Sequence, residues 1–127
     1  MSQVTGIGVD IVNVAKFQQM LEDQPHSLET LFTPTEHSYC QHRRNSAELY
    51  AARFAAKEAV LKALGCGMSG AMNWVDIEIK KAHSGQPIVE LSGEVARWAG
   101  LRQANRLSIS LSHCREYAVA YVLAEQG

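Results

Sequence analysis

The sequence predicts an α+β fold: a small antiparallel sheet packed with one long helix and several shorter ones, in a single domain over residues 1–127. Three observations support it. Strand-like segments stand at both ends of the chain, a long helix-forming run free of glycine and proline occupies the middle, and two pairs of neighbouring strands are joined by short turns instead of crossover helices.

Val4–Val12 is apolar, with two glycines and one acid, Asp10, and reads as a strand. Asn13–Glu22 carries Val14, Phe17 and Leu21 at helical spacing, with Asn13 as N-cap. A second helix is expected from the N-cap Thr33 to about His42, with Pro34 at the first position and Glu36 closing a capping box. Arg43–Ser46 is a polar break. Ala47–Leu64 is the long helix, rich in Ala, Leu, Glu, Lys and Arg, and Gly65 suits the residue after its C-cap. Trp74–Lys80 alternates as a half-buried strand, His83–Pro87 turns, and Ile88–Leu91 returns as its partner. Glu94–Gly100 reads as a helix. Arg106–His113 and Tyr117–Leu123 are strands joined by Cys114–Arg115–Glu116.

Composition narrows the function. Apolar residues make up 46% and charged residues 20%, which excludes disorder, and a net charge of −1 argues against a dedicated nucleic-acid binder. No apolar run reaches membrane-spanning length, and the first residues lack a signal peptide's pattern. Cys40, Cys66 and Cys114 form no CxxC pair, as expected of reduced thiols in a cytoplasmic protein.

Chemistry concentrates on the long helix. At about 100° per residue, Arg53 and Lys57 fall inside the arc formed by Leu49, Tyr50, Val60, Leu61 and Leu64. A buried ammonium needs an anion beside it, so Lys57 either meets one, contacts phosphate, or snorkels past the apolar face. Glu58 and Lys62 stand four apart, which allows a helical ion pair. Glu58 and Asp10 alternatively supply two carboxylates from different elements, enough for magnesium with phosphates and water. Gly65–Gly70 matches GxGxxG but follows a helix and precedes a strand, the reverse of the dinucleotide-binding context. His113 lacks a nucleophile elbow or an orienting acid in the sequence around it, and the other histidines show no metal-ligand spacing.

Taken together, Gly6-Ile-Gly-Val-Asp10-Ile-Val, Arg53-Phe-Ala-Ala-Lys57-Glu58-Ala, Lys62-Ala-Leu-Gly65, Gly85-Gln-Pro87 and Ser110-Leu-Ser112-His113 resemble, end to end, the short bacterial holo-acyl-carrier-protein synthases, the 4′-phosphopantetheinyl transferases. The resemblance implies magnesium-dependent transfer of the phosphopantetheine arm of coenzyme A to a serine of an apo-acyl carrier protein, releasing adenosine 3′,5′-bisphosphate, in fatty acid or related lipid biosynthesis. It implies Asp10 and Glu58 as magnesium ligands, with Lys62 neutralising phosphates. Arg53, Lys57, Gly65, Gly67, Gly85, Pro87, Ser112 and His113 are the implied coenzyme A contacts, and Lys16 lies on the carrier-docking helix. Glu58 or a metal-ordered water would take the serine proton. A cytoplasmic homotrimer with sites shared between subunits is also implied.

The chain departs from the family pattern at Asn13, where an acid is usual, at Lys16 and Gln86, where Arg and Lys are frequent, and at Cys114, where a small hydroxyl residue is common. These changes bear on carrier preference and cofactor affinity. Two other readings use the same residues: a magnesium-dependent coenzyme A pyrophosphohydrolase, and a catalytically silent coenzyme A-binding subunit.

Overall fold

A computed structural model describes residues 2–127. Its elements are β1 (Gln3–Asn13), α1 (Val14–Asp23), α2 (Ser27–Leu31), α3 (Pro34–Cys40), α4 (Ser46–Ala63), a 3₁₀ turn (Trp74–Asp76), β2 (Ile77–Lys81), β3 (Pro87–Leu91), α5 (Gly93–Leu101), β4 (Arg106–His113) and β5 (Tyr117–Gln126). The class is α+β, as expected. The strands divide into two antiparallel sheets, a three-stranded one in the order β1-β5-β4 and the β2-β3 hairpin.

Two expectations need correction. Helix α2 was not anticipated, because five residues are too few to display a helical period. The strand expected from Trp74 begins only at Ile77. The Asp76 carboxylate accepts from the Asn73 N–H at 3.1 Å, and the Asp76 N–H donates to the Asn73 carbonyl at 2.9 Å. That closed turn holds Trp74–Asp76 out of the sheet, although the alternating pattern continues through it.

The caps form as the sequence dictates. Asn13 Oδ1 accepts from the Lys16 N–H at 2.9 Å. Thr33 and Glu36 make the reciprocal capping box.

The core has two parts sharing α4. The C-terminal half of α4 packs Ala55, Ala56, Ala59, Val60 and Ala63 onto Ala120, Val122 and Ala124 of β5 and onto Ile77 and Ile79 of the hairpin. The N-terminal half closes against α1, α2 and α3 through Phe17, Phe32 and Tyr50. Phe17 stacks on Phe54 at 4.9 Å between ring centres, and Phe54 meets Trp74 at 5.2 Å. The opposite face of the large sheet is uncovered, with Ile7, Val9, Ile11, Tyr117 and Tyr121 about half exposed. No helix among the described residues is long and apolar enough to cross a membrane.

Candidate active site

The glycines of β1 set the site. Gly6, Gly8 and Asp10 share one face of the strand, opposite Ala124, Val122 and Ala120 of β5. A Cβ added at Gly6 would lie 1.8 Å from the Ala63 carbonyl oxygen, and one at Gly8 would lie 1.9 Å from that of Ala59. Only glycine lets the α4 backbone come this close. The next residue on the same face, Asp10, is thereby delivered to the side of α4 that carries Glu58 and Lys62.

Lys62 donates to Asp10 Oδ1 at 3.0 Å and to the Val9 carbonyl at 3.0 Å. Its partner is thus Asp10, and the helical pair with Glu58 that the spacing allows is not the one formed. Asp10 and Glu58 line one open cleft with Asn13, Lys16, Phe17 and Met20. Partial burial and the nearby Asp10 carboxylate push the Glu58 carboxyl upward, while Lys62 pulls it down.

Arg53, Gly85, Pro87 and His113 line a second cleft of about 180 Å³ with Tyr39 and Lys81. The His113 Nδ1 lies 2.8 Å from Glu48 Oε1 on the first turn of α4, which fixes the ring at the mouth of this cleft. Arg53 is buried, with its Nε unpartnered and its guanidinium 4.2 Å from the centre of the Tyr39 ring. Ser112 is exposed just before His113. Gly65, at φ +71°, closes α4, and Gly67 follows in the loop with open space around it. In that left-handed conformation a side chain at position 65 would be strained.

Lys57 is not available as a coenzyme A contact, and this corrects the expectation. Its side chain is fully enclosed, 2.8 Å from Glu36 Oε1 and 3.1 Å from the Trp74 carbonyl. Glu36 is satisfied as well: Oε1 also accepts from the Thr33 N–H and Oε2 from the Ile79 N–H. Glu36 is the anion that a buried Lys57 required. The sequence marked it only as a cap, and no local spacing reveals a partner 21 residues away. Glu48, Tyr39 and Lys81 were also missed, for the same reason.

The sequence pattern of the 4′-phosphopantetheinyl transferase superfamily matches residues 6–122. The chain belongs to this superfamily. A holo-[acyl-carrier-protein] synthase from Desulforudis audaxviator is 47% identical over 122 residues, covering 95% of this chain and 92% of its own. The structure of a holo-(acyl-carrier-protein) synthase from Bacillus anthracis, in complex with CoA (3′,5′-ADP), superposes with a TM-score of 0.81 at 31% identity over 98% of both chains. That from Helicobacter pylori, in complex with coenzyme A, gives 0.78 at 32% identity over 93% of this chain and 98% of its own. In this phosphopantetheinyl transferase, the two clefts lie on different sides of α4. Arg53 and Glu58 are five residues apart on it and so point roughly 140° from one another.

Proposed function

We propose that this chain is a cytoplasmic, magnesium-dependent holo-acyl-carrier-protein synthase. It moves the 4′-phosphopantetheine arm of coenzyme A to a serine hydroxyl of an apo-acyl carrier protein and releases adenosine 3′,5′-bisphosphate. The observation that carries this reading is the pair of carboxylates, Asp10 and Glu58, facing one open cleft beside Lys62.

The donor set fits magnesium. Both ligands are hard carboxylates from separate elements; burial first and Asp10 second raise the Glu58 carboxyl, and a divalent cation would offset both. Two carboxylates are enough for such an ion when water and substrate phosphates complete its coordination. A bound ion would neutralise charge on the pyrophosphate and on the 5′-phosphate of the departing adenosine 3′,5′-bisphosphate. Lys62 adds a second positive charge at the same place. Glu58, with its raised carboxyl, is suited to accept the serine proton.

Arg53, Gly85, Pro87 and His113 hold the nucleotide end of coenzyme A, with Gly65, Gly67 and Ser112 as further contacts. Because the two clefts diverge around α4, a complete site needs the carboxylates of one chain and the nucleotide cleft of another. The uncovered apolar face of β1 and β5 supports such self-association, and a homotrimer with shared sites satisfies both observations. Lys16, exposed at the edge of the Asp10 cleft, steers the acidic carrier protein.

Intact-mass analysis of an apo-carrier protein after incubation with this protein, coenzyme A and magnesium tests the reading. Addition of one phosphopantetheine arm is expected. Coenzyme A breakdown without carrier modification would instead mark a pyrophosphohydrolase.

A further inference from the structure

Two helix ends meet at one loop. At the end of α4 the Gly65 N–H donates to the Lys62 carbonyl at 3.1 Å and the Cys66 N–H to that of Leu61 at 3.0 Å, a glycine-centred cap that uses two of the carbonyls the helix leaves over. Helix α5 ends the same way. The Gln103 N–H donates to the Gly100 carbonyl at 3.0 Å and the Ala104 N–H to that of Ala99 at 2.9 Å, with Gln103 at φ +57° where glycine is usual.

These two ends touch through side chains of α5. The Trp98 indole N–H donates to the Leu64 carbonyl at 2.8 Å, the carbonyl just before Gly65. The Arg102 guanidinium lies across Gly65, where an added Cβ would stand 3.0 Å from its Nη2. Helix C-termini carry partial negative charge, which a guanidinium between them offsets. Its charge also reaches the Cys66 thiol, which burial pushes up and Arg102 pulls down.

Beyond Cys66 the support thins out. A Cβ at Gly67 or Gly70 would meet open space, and Met68 and Met72 reach back to the core. A segment with Gly65, Gly67 and Gly70 has many conformations to lose when it closes on a ligand. Fixing its first residues beforehand lowers that cost and so strengthens binding.

We propose that Trp98 is a positioning residue for coenzyme A, its indole holding the end of α4 so that Gly65 and Gly67 are already placed to receive the substrate, with Arg102 as the second support. The inference rests on coenzyme A being the substrate, and it gives a role to α5, no residue of which lines either cleft.

Calorimetric titration of the full-length protein with coenzyme A provides the test, alongside steady-state carrier modification. Trp98→Phe keeps an aromatic ring and loses the N–H, and its coenzyme A affinity is expected to fall about fivefold. Arg102→Met, on an exposed residue, is expected to lose about twofold or more, and it keeps the proposal falsifiable should Trp98→Phe fail to fold. Both variants should raise the KM for coenzyme A while kcat and the carrier KM stay within about twofold of wild type, a split that a general loss of stability does not produce. In Trp74→Phe, where Trp98 is the remaining tryptophan, saturating coenzyme A is expected to change the emission. Wild-type coenzyme A affinity in both variants, a fall in kcat with unchanged coenzyme A KM, an emission that coenzyme A does not move, or a wild type that does not bind coenzyme A would overturn the assignment. Affinity weakened in both variants of a protein that modifies no carrier would sink the transferase reading and leave the role of Trp98 standing.

Discussion

Gly8 of β1 lies directly under the Ala59 carbonyl of α4, so close that a Cβ at position 8 would stand 1.9 Å from that oxygen. The contact sets how near the helix lies to the strand, and with it the distance between Asp10 and the Glu58–Lys62 side of α4. A methyl group there meets backbone, which cannot rotate away. Gly8→Ala is therefore expected to lower the midpoint of thermal unfolding by roughly 10 °C, from an overpacking cost of up to about 3 kcal/mol. Gly100→Ala is the control. Gly100 sits in α5 with nothing within 4 Å of a new Cβ, and the substitution should leave the midpoint unchanged or slightly raised. Differential scanning calorimetry of the two variants measures the contrast.

The enclosed Lys57–Glu36 pair gives a second prediction. Glu36→Gln leaves an ammonium sealed among apolar groups with only the Trp74 carbonyl, and places an amide where two backbone N–H groups need acceptors. A loss of about 3–5 kcal/mol in urea unfolding is expected. Adding Lys57→Met to Glu36→Gln removes the stranded charge and should recover part of that loss. A double variant as unstable as the sum of its singles would show that the pair is not coupled.

How much of this was legible in the sequence depended on range. Local signals carried through: Asn13 and Thr33 cap their helices, Gly65 ends α4, and β4 runs over the expected residues. The helical projection also placed Lys57 among apolar neighbours correctly, since that follows from α4 alone. It could not name Glu36, which reaches Lys57 only after α3 folds against α4. The same limit hid Tyr39 and Lys81, brought to Arg53 by two different elements. The Gly6–Gly8–Asp10 alternation was readable as a pattern, but its purpose required the position of α4.

Glu58→Gln should separate stability from activity. The Glu58 carboxyl is raised above its ordinary value of 4.5 by burial and by Asp10. In the pH range just above 4.5, the folded state then binds more protons than the unfolded state, so this group's contribution falls as pH rises through that range. The variant is expected to flatten that decline and unfold slightly later at pH 7. Its transfer rate should drop about 100-fold or more. Unfolding curves from pH 4 to 8, with single-turnover rates, measure both.

Lys16→Glu reverses the charge at the edge of the Asp10 cleft without touching the nucleotide cleft. Carrier affinity should fall about tenfold at low salt and less at high salt, with coenzyme A affinity unchanged. Equal losses for both ligands would contradict separate docking surfaces.

The role proposed for Asp10 and Glu58 is joint support of magnesium-dependent arm transfer to a carrier protein. It is tested most directly by intact-mass analysis of apo-acyl carrier protein incubated with coenzyme A and either wild type or Asp10→Ala, with magnesium or with excess chelator. The expected result is one added phosphopantetheine arm for wild type with magnesium, and little or none in the other three tubes. Equal modification with and without chelator, or by the folded Asp10→Ala protein at the wild-type rate, would contradict it.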